Sequence, residues 1–330
     1  MEFKISIHLS KRRKVYSHDQ RYLDAAPWGI DARYAWTKAG GEGDNFQLDH
    51  EVLAAANITP INDAPIGSSW KDHGTAVPGE LFMRGGTAKG VGIIPKARGF
   101  VAYTGENYLQ GLAEAVDKMD LGDIILIEMQ QVTPALLPLE IDNSCFDLLL
   151  LANRKGITVI EPAGNGGQNL EHPIRLSDGT YRDVLNPDSP HFRDSGAIMV
   201  GGSTKDIPHY QRIETSWTGS NYGNRVDTYG WYEGIFTASS RDPSGYQNCF
   251  GGTSGASQVV AGVAAIMQSI TYKSTRGMKL SPRQVRKIIT QGGTPTEDPN
   301  VDRIGVMPNL RAILDGQVDS NRPSNVSWRV

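Results

Sequence analysis

The chain of 330 residues carries 33 Lys and Arg against 36 Asp and Glu, a formal net charge of −3. Hydrophobic residues are 39% and charged residues 21% of it, which predicts a folded protein with one large domain or two smaller ones and excludes a disordered chain. This charge gives no reason to expect nucleic acid or an acidic membrane as a partner. The two cysteines, Cys145 and Cys249, exclude a scaffold built on several disulfides but leave a single bridge between them possible.

The N-terminal residues 1–9 alternate apolar and polar side chains like a β-strand. They lack the uninterrupted apolar core of a signal peptide, and no later apolar run is long enough to span a bilayer. The compartment therefore stays open. Short helices are predicted at residues 31–36 and 51–56, with a weak strand at 45–49 between them.

Apolar runs then alternate with helical patterns along the rest of the chain. Strands are predicted at 97–103, 123–127, 157–160 and 197–200, and helices at 109–119, 140–153, after His73 and after Ser254. This alternation predicts an α/β fold with a mainly parallel central sheet and helices on both faces. In such sheets, functional sites gather at the carboxyl ends of the strands.

Ser254 lies where the Gly-rich start of residues 250–265 joins an apolar helix. A hydroxyl at this point is close to the positive end of the helix and to backbone N–H groups that can meet developing negative charge. These are the requirements of a serine nucleophile, although an ordinary helix-capping serine is the structural alternative. Cys249 is a rival nucleophile by position, but its local sequence lacks the signatures of cysteine nucleophiles.

His73 and Asn165 are the other candidates for chemistry. By itself His73 fits a capping or packing histidine as well as a base, and Asn165, which follows the strand predicted at 157–160, fits a turn asparagine. The combination is more specific, because His73, Asn165 and Ser254 each lie beside glycines and next to a strand end or a helix start. Together they predict a serine hydrolase.

Several segments together resemble the subtilisin-like serine peptidases, in the order found in that family. They are residues 72–77 around the histidine, 90–97 after it, 163–165 around the asparagine, 220–227 with the family's Ser-Asn-Tyr-Gly pattern, and 252–257 around the serine. Several matches in order are far more specific than any one motif. The resemblance implies a three-layer, subtilisin-like peptidase domain at 28–315, an N-terminal extension at 1–27 without a full propeptide, and a C-terminal tail at 316–330.

The resemblance also implies a mechanism. A serine endopeptidase of this type would use Ser254 as the nucleophile, His73 as the base and then the acid, and the amide of Asn165 as a donor to the oxyanion. Its partner would be a polypeptide, paired like an added β-strand with two wall segments. The substrate-contacting residues carried over are Ile127, Glu128, Met129, Gln130, Ala163 and Gly164. No cofactor is implied. Calcium sites are common in the family, but the sequence offers no ligand loop for one, so no metal site is predicted. The oligomeric state stays open.

Glu128 lies in the first wall segment, and Gln258 follows directly after the nucleophile segment. Glu128 either favours a basic or polar substrate residue before the cut or faces solvent. Gln258 stands where the family usually has proline, a residue that suits the first helical turn but is not required there.

The third member of the triad is the main departure from the family. In subtilisin-like peptidases the aspartate ends an apolar strand, of which only residues 46–49 remain here. Asp49 is the best candidate and Asp44 the second, while Asp72 is poorly placed because it adjoins His73 in sequence. Asp49 is equally consistent with a helix cap. Since the family's strand is central in its sheet, its shortening predicts a packing fault or other residues in its place.

Two further functions are alternatives to the endopeptidase. The shortened strand supports a catalytically impaired pseudopeptidase that binds peptides without cleaving them. An esterase of another α/β type is less consistent with the sequence, because no Gly-x-Ser-x-Gly elbow surrounds Ser254.

Overall fold

The computed structural model describes residues 20–38, 53, 58–62, 71–84, 90–102, 108–132, 135–176, 179–215, 218–240 and 245–316. The strands predicted at 1–9 and 45–49, most of the helix predicted at 51–56 and nearly all of the predicted tail lie outside these residues. Within the described part, none of the helices combines the length and the apolar character that crossing a bilayer requires.

Of the eight α-helices of the described residues, the first five in chain order fall where the sequence predicts helices, and the last three were not predicted. The helices are α1 Ala32–Ala35, α2 Lys71–Phe82, α3 Tyr108–Lys118, α4 Asn143–Arg154, α5 Gly252–Ser274, α6 Pro282–Thr290, α7 Pro299–Asp302 and α8 Leu310–Leu314, with 3₁₀ turns at Arg21–Leu23 and Leu139–Ile141. The strands are β1 Ile58–Pro60, β2 Gly99–Val101, β3 Ile124–Leu126, β4 Thr158–Pro162, β5 Ile174–Arg175, β6 Tyr181–Arg182, β7 Ile198–Ser203, β8 Ile213–Thr215, β9 Thr218–Gly219, β10 Thr228–Trp231, β11 Ile235–Ala238, β12 Tyr246–Phe250, β13 Gly293–Pro295 and β14 Val306–Pro308.

A six-stranded sheet with the order β13-β14-β10-β7-β4-β3 forms the centre of the molecule. All of its pairings are parallel except the antiparallel pair of β13 and β14. Every residue of β4 and β7 is buried, as continuous apolar runs in a covered parallel sheet require. Strand β3 differs, because it is at the edge of this sheet and only its middle residue is buried. The predicted mainly parallel sheet is confirmed.

Both faces of this sheet are covered by helices. Val159 packs in one cluster with residues of α3 and α4, such as Val116 and Leu149. The next residue, Ile160, belongs to the larger cluster that contains the apolar side of α5, including Val259 and Val263. Successive side chains of a strand point to opposite faces, so β4 is sandwiched between two helical layers, and the predicted three-layer α/β architecture is confirmed.

The remaining parallel strands form a separate pair. β1 and β2 run parallel, with Ile58 opposite Gly99, and make a two-stranded sheet of their own. Among the described strands, none joins β2 to β3. Phe100 of β2 nevertheless packs against the cluster of α3, α4 and β3, so side-chain packing holds the small sheet to the same helical layer. The segment that would carry the shortened strand, residues 39–52, lies outside the described residues.

Helix α5 organises the core and carries Ser254 at its start. It packs against β3, β4, β7 and β10, and its apolar side chains Val259, Val260, Val263 and Ile266 are completely buried. Close contact with the sheet needs a small residue at one point, because a Cβ on Gly230 of β10 would lie 2.6 Å from the carbonyl oxygen of Ala256. The position of Ser254 is thus set by the packing of the whole core.

Candidate active site

His73 and Ser254 meet at the N-terminal ends of two helices. Each is the third residue of its helix, α2 and α5, and Nε2 of His73 lies 3.2 Å from Oγ of Ser254, across 181 positions of sequence. The imidazole packs edge-on against Phe250, with ring centroids 5.7 Å apart. Burial lowers the pKa of His73, which favours the neutral, proton-accepting ring at neutral pH.

Glycines allow the chain to turn sharply into α5 just before Ser254. Gly252 has φ +78°, in the left-handed region that favours glycine, and its N–H donates to the carbonyl of Tyr232 at 2.7 Å. A Cβ on Gly251 would lie 2.0 Å from that carbonyl oxygen. The two glycines therefore allow the backbone before Ser254 to lie against the backbone of Tyr232, where a side chain would not fit.

Asn165 follows β4 and is fixed by the residue that precedes Ser254. Its Oδ1 accepts hydrogen bonds from the backbone N–H of Thr253 at 2.8 Å and from the Thr253 hydroxyl at 3.0 Å. Because a backbone N–H can only donate, these contacts identify the oxygen of the amide. Nδ2 is left as the donor and has no hydrogen-bond partner among the described residues. Gln130 supports the loop by accepting from the N–H of Asn165 at 2.9 Å.

Asn221 holds the loop that presents Asn165, a role the sequence did not reveal. Its buried side chain donates to the carbonyls of Ala163 and Leu136, both at 2.7 Å, and accepts from the N–H of Gln168 at 2.7 Å. Its own N–H donates to the carbonyl of Gly164 at 2.9 Å. The signal in the sequence was the Ser-Asn-Tyr-Gly match, which marks the residue but not its contacts.

The two predicted wall segments leave neighbouring strands of the sheet. Ile127 is buried and continues the pairing of β3 with β4 through its N–H, 2.9 Å from the carbonyl of Ile160. Met129 and Gln130 are partly exposed. Ala163 and Gly164 are buried, and Gly164 has φ +94°. The predicted roles of these residues in substrate binding stay predictions.

Glu128, in the first of the two wall segments, turns its carboxyl group inward and not to solvent. Its Oε2 lies 3.8 Å from Nε2 of His73, and 15% of its side chain is exposed. Both carboxylate oxygens are buried and lack a hydrogen-bond partner of good geometry. Burial raises the pKa of Glu128 well above its ordinary value, while the nearby Ser254 hydroxyl opposes the rise. The carboxyl group therefore faces the centre formed by His73 and Ser254.

The predicted aspartates fall outside what the structure describes. Asp49 and Asp44 lie in residues 39–52, and the side chain of Asp72 is likewise not described. Among the described residues, nothing forms a hydrogen bond with Nδ1 of His73, since its polar contacts are to Ser254 and Glu128 through Nε2.

Metal ligands and cysteines add nothing further to this site. The described residues hold no cluster of three or more His, Cys, Asp or Glu side chains suited to a metal ion. Cys145 is buried, Cys249 is exposed on β12, and both are free thiols.

Comparison with protein families identifies the chain. The model of the subtilase family matches residues 29–305. The chain belongs to the subtilase family. It is therefore a serine peptidase by family, a hydrolase that acts on polypeptides, and the resemblance inferred from its motifs is confirmed.

Solved structures share the fold of this subtilase at low sequence identity. The patellamide maturation protease PatA is 20% identical with a TM-score of 0.56, over 82% of this chain and 93% of that one. The prenylagaramide maturation protease PagA is 22% identical with a TM-score of 0.61, over 86% and 97%. A protease of Pseudoalteromonas arctica is 18% identical with a TM-score of 0.60, over 91% and 97%. A search of curated proteins finds no match.

Gln258 is one of several buried polar side chains without a hydrogen-bond partner among the described residues of this subtilase. It is completely buried in α5, and neither its Nε2 nor its Oε1 has a hydrogen-bond partner. An unpaired buried amide is unfavourable, so Gln258 is expected to lower the free energy of unfolding.

Proposed function

We propose that this subtilase is a serine endopeptidase with Ser254 as nucleophile, His73 as general base and Asn165 as side-chain donor to the oxyanion. The observation that supports the proposal most directly is the distance of 3.2 Å between Nε2 of His73 and Oγ of Ser254. This is the hydrogen-bond reach that a base and its nucleophile need.

The proposed first step forms a bond between Oγ of Ser254 and the scissile carbonyl carbon. The Ser254 proton passes to Nε2 of His73, and the carbonyl electron pair moves onto oxygen. Nδ2 of Asn165 and the backbone N–H of Ser254 stabilise that oxyanion. His73 then gives the proton to the leaving amine. Removing the Asn165 donor is expected to cost about 10²–10³-fold in kcat, a magnitude known from subtilisin, itself a subtilase.

The polypeptide substrate is proposed to lie along Ile127–Gln130 and Ala163–Gly164. Both segments follow the carboxyl ends of adjacent strands, β3 and β4, and flank the loop of Asn165. An extended peptide between them would add a strand by backbone hydrogen bonds. We also propose residues 28–315 as the peptidase domain, within which the family match of 29–305 falls.

Asp49 is proposed to hold Nδ1 of His73 and to stabilise the imidazolium. Loss of such an aspartate costs about 10⁴-fold in kcat. A matched pair tests this assignment: Asp49→Asn is expected to lower kcat steeply, and Asp44→Asn is expected to leave it near wild type. The reverse pattern would transfer the role to Asp44.

A second candidate function is a peptide-binding pseudopeptidase. It is favoured by one feature of the sequence, the shortened apolar strand of which only residues 46–49 remain before His73. This candidate predicts that peptides bind without turnover and that Ser254→Ala does not change their affinity.

A fluorophosphonate probe separates the two functions. We expect the probe to label Ser254 in the wild type, with Ser254→Ala unlabelled and His73→Ala labelled far more slowly, and we expect a quenched fluorescent peptide to be cleaved. Folded wild-type protein that binds peptide but shows neither labelling nor cleavage would establish the pseudopeptidase instead.

A further inference from the structure

The carboxyl group of Glu128 lies beside the proton that the proposed mechanism moves. Oε2 of Glu128 is 3.8 Å from Nε2 of His73, the same ring nitrogen that lies 3.2 Å from Oγ of Ser254. A triad aspartate acts on the opposite nitrogen, Nδ1. Glu128 is therefore not placed to hold a proton on Nδ1 as a triad aspartate does, but it faces the nitrogen that becomes charged when Ser254 attacks.

The environment of Glu128 makes its charge depend on that partner. Both oxygens are buried and lack a hydrogen-bond partner of good geometry, and an isolated buried carboxylate is unfavourable. An imidazolium at His73 would supply the missing partner. The group is thus stabilised most strongly in the state that the proposed reaction passes through, which is the condition for a catalytic interaction.

A second buried glutamate, Glu80 of α2, lies close enough to Glu128 for the charge of one carboxyl group to affect the ionisation of the other. Both of its oxygens are buried without a hydrogen-bond partner, and its pKa is raised well above the ordinary value by burial and by the charge of Glu128. Burial also raises the pKa of Glu128 well above its ordinary value, although there the Ser254 hydroxyl opposes the rise, whereas no described group opposes it at Glu80. The described titratable groups facing Glu128 are therefore His73 and Glu80, and of these two only His73, as an imidazolium, offers a positive charge to an ionised Glu128.

We propose that Glu128 is an additional catalytic residue, whose carboxylate is the counter-charge of the His73 imidazolium formed when Ser254 attacks. The proposal rests on the proposed serine peptidase function. The Ser254 proton still passes to Nε2 of His73, and Glu128 stays ionised through the step, so the proton balance of the reaction is unchanged.

The proposal has a specific pH signature. The active form needs His73 neutral and Glu128 ionised, so two protons must leave on the acid side of the pH profile. Because burial raises the pKa of Glu128, the reactivity of Ser254 rises as pH increases through that raised value. Replacing the carboxyl by an amide leaves only the ionisation of His73.

The rate of fluorophosphonate labelling of Ser254 between about pH 4.5 and 9 measures this signature without a peptide. For Glu128→Gln we expect the plateau rate to fall about 10²-fold and the acid limb to change from a two-proton to a one-proton slope. The control Glu80→Gln removes a neighbouring buried carboxyl and is expected to keep the two-proton slope. With peptides, Glu128→Gln should lower kcat equally for Lys and Leu before the cut and leave KM unchanged.

Several outcomes would overturn the role of Glu128. One is labelling of Glu128→Gln at the wild-type rate with an unchanged acid limb. Another is an effect on KM alone, and only for Lys or Arg substrates, which would make Glu128 a specificity wall. If Glu128→Gln does not fold, Glu128→Asp is measured and should keep the two-proton limb at a reduced rate; a one-proton limb there contradicts the proposal. Absence of labelling in the wild type would instead refute the peptidase function itself.

Discussion

Oδ1 of Asn165 accepts hydrogen bonds from both the backbone N–H and the hydroxyl of Thr253, at 2.8 and 3.0 Å. Thr253 is joined directly to Ser254, so the proposed oxyanion donor and the proposed nucleophile are held in one rigid unit. The contact lies on the side of the amide away from its free donor, Nδ2. A change at Thr253 therefore perturbs the oxyanion donor without removing any proposed catalytic group.

Thr253→Val tests this relationship. Valine keeps the shape and the backbone hydrogen bond but loses the hydroxyl, so Asn165 is held by one contact instead of two. We expect kcat to fall about 3–10-fold with KM nearly unchanged, since one hydrogen bond contributes about 1 kcal/mol. Thr253→Ser keeps the hydroxyl and serves as the control. Equal losses in kcat for the two variants would assign the effect to packing rather than to the hydrogen bond.

Asn221→Ala is expected to reduce both stability and activity. The variant leaves the buried carbonyls of Ala163 and Leu136 without their donor, which should lower the free energy of unfolding by about 3 kcal/mol. It also frees the loop that presents Asn165, so kcat should fall. Urea denaturation and peptide turnover measure the two effects.

Asn224 provides the control for that variant. It lies in the same segment but is exposed, so Asn224→Ala should change the free energy of unfolding by less than about 0.5 kcal/mol. If Asn221→Ala behaves like Asn224→Ala, the contacts of Asn221 do not support the site.

Gln258→Met is expected to stabilise the protein. Methionine has a similar shape and removes a buried amide that has no hydrogen-bond partner, which should add about 1–2 kcal/mol to the free energy of unfolding. Gln268, in the same helix, is the matched comparison, because its amide pairs with both the carbonyl and the N–H of Leu280, at 2.7 and 2.9 Å. Gln268→Met should destabilise by a similar amount. Calorimetric melting of both variants checks the opposite signs, and a loss of stability in Gln258→Met would show that its amide is satisfied in solution.

Glu80→Gln is expected to flatten the dependence of stability on pH. Burial raises the pKa of Glu80 in the folded protein above its unfolded value of about 4.5. The folded state then binds the extra proton, so this contribution is complete below pH 4.5 and is lost as pH rises through the folded pKa. Melting temperatures from pH 5 to 8 should decline less in Glu80→Gln than in the wild type. The exposed Glu297, changed to Gln, should keep the wild-type slope; if Glu80→Gln keeps it too, Glu80 is not protonated in the fold.

The elements that the sequence predicts well carry their own hydrophobic signal. β4 and β7 are covered on both faces, so each is an apolar run that needs no context to recognise. β10 was not predicted, because Thr228–Trp231 contains a glycine that packs under α5, and its reason for being a strand lies in the tertiary contact. β1 was also missed, since it ends at Pro60 and pairs with a strand some forty positions away.

The active site likewise combines features that the sequence predicts with features that depend on tertiary contacts. Motif order is enough to predict that His73, Asn165 and Ser254 share one region, and the structure brings them there. Motif order does not reveal in which direction a side chain just beyond a strand points. It therefore does not predict that the carboxyl group of Glu128 faces His73. Nor can spacing reveal which hydrogen bonds Asn221 makes, because those depend on three segments that meet only in the fold.

Helix α5 begins with the proposed nucleophile and also bears on four strands of the central sheet. When helix α5 unfolds, Ser254 leaves its position at the site and the central sheet loses the helix that covers one of its faces. Under the proposed function, a copy in this state would be open to digestion by intact copies but could not digest them. Autolysis by the proposed peptidase would then run from intact molecules to unfolded ones, and heating should end activity and helical structure in a single transition.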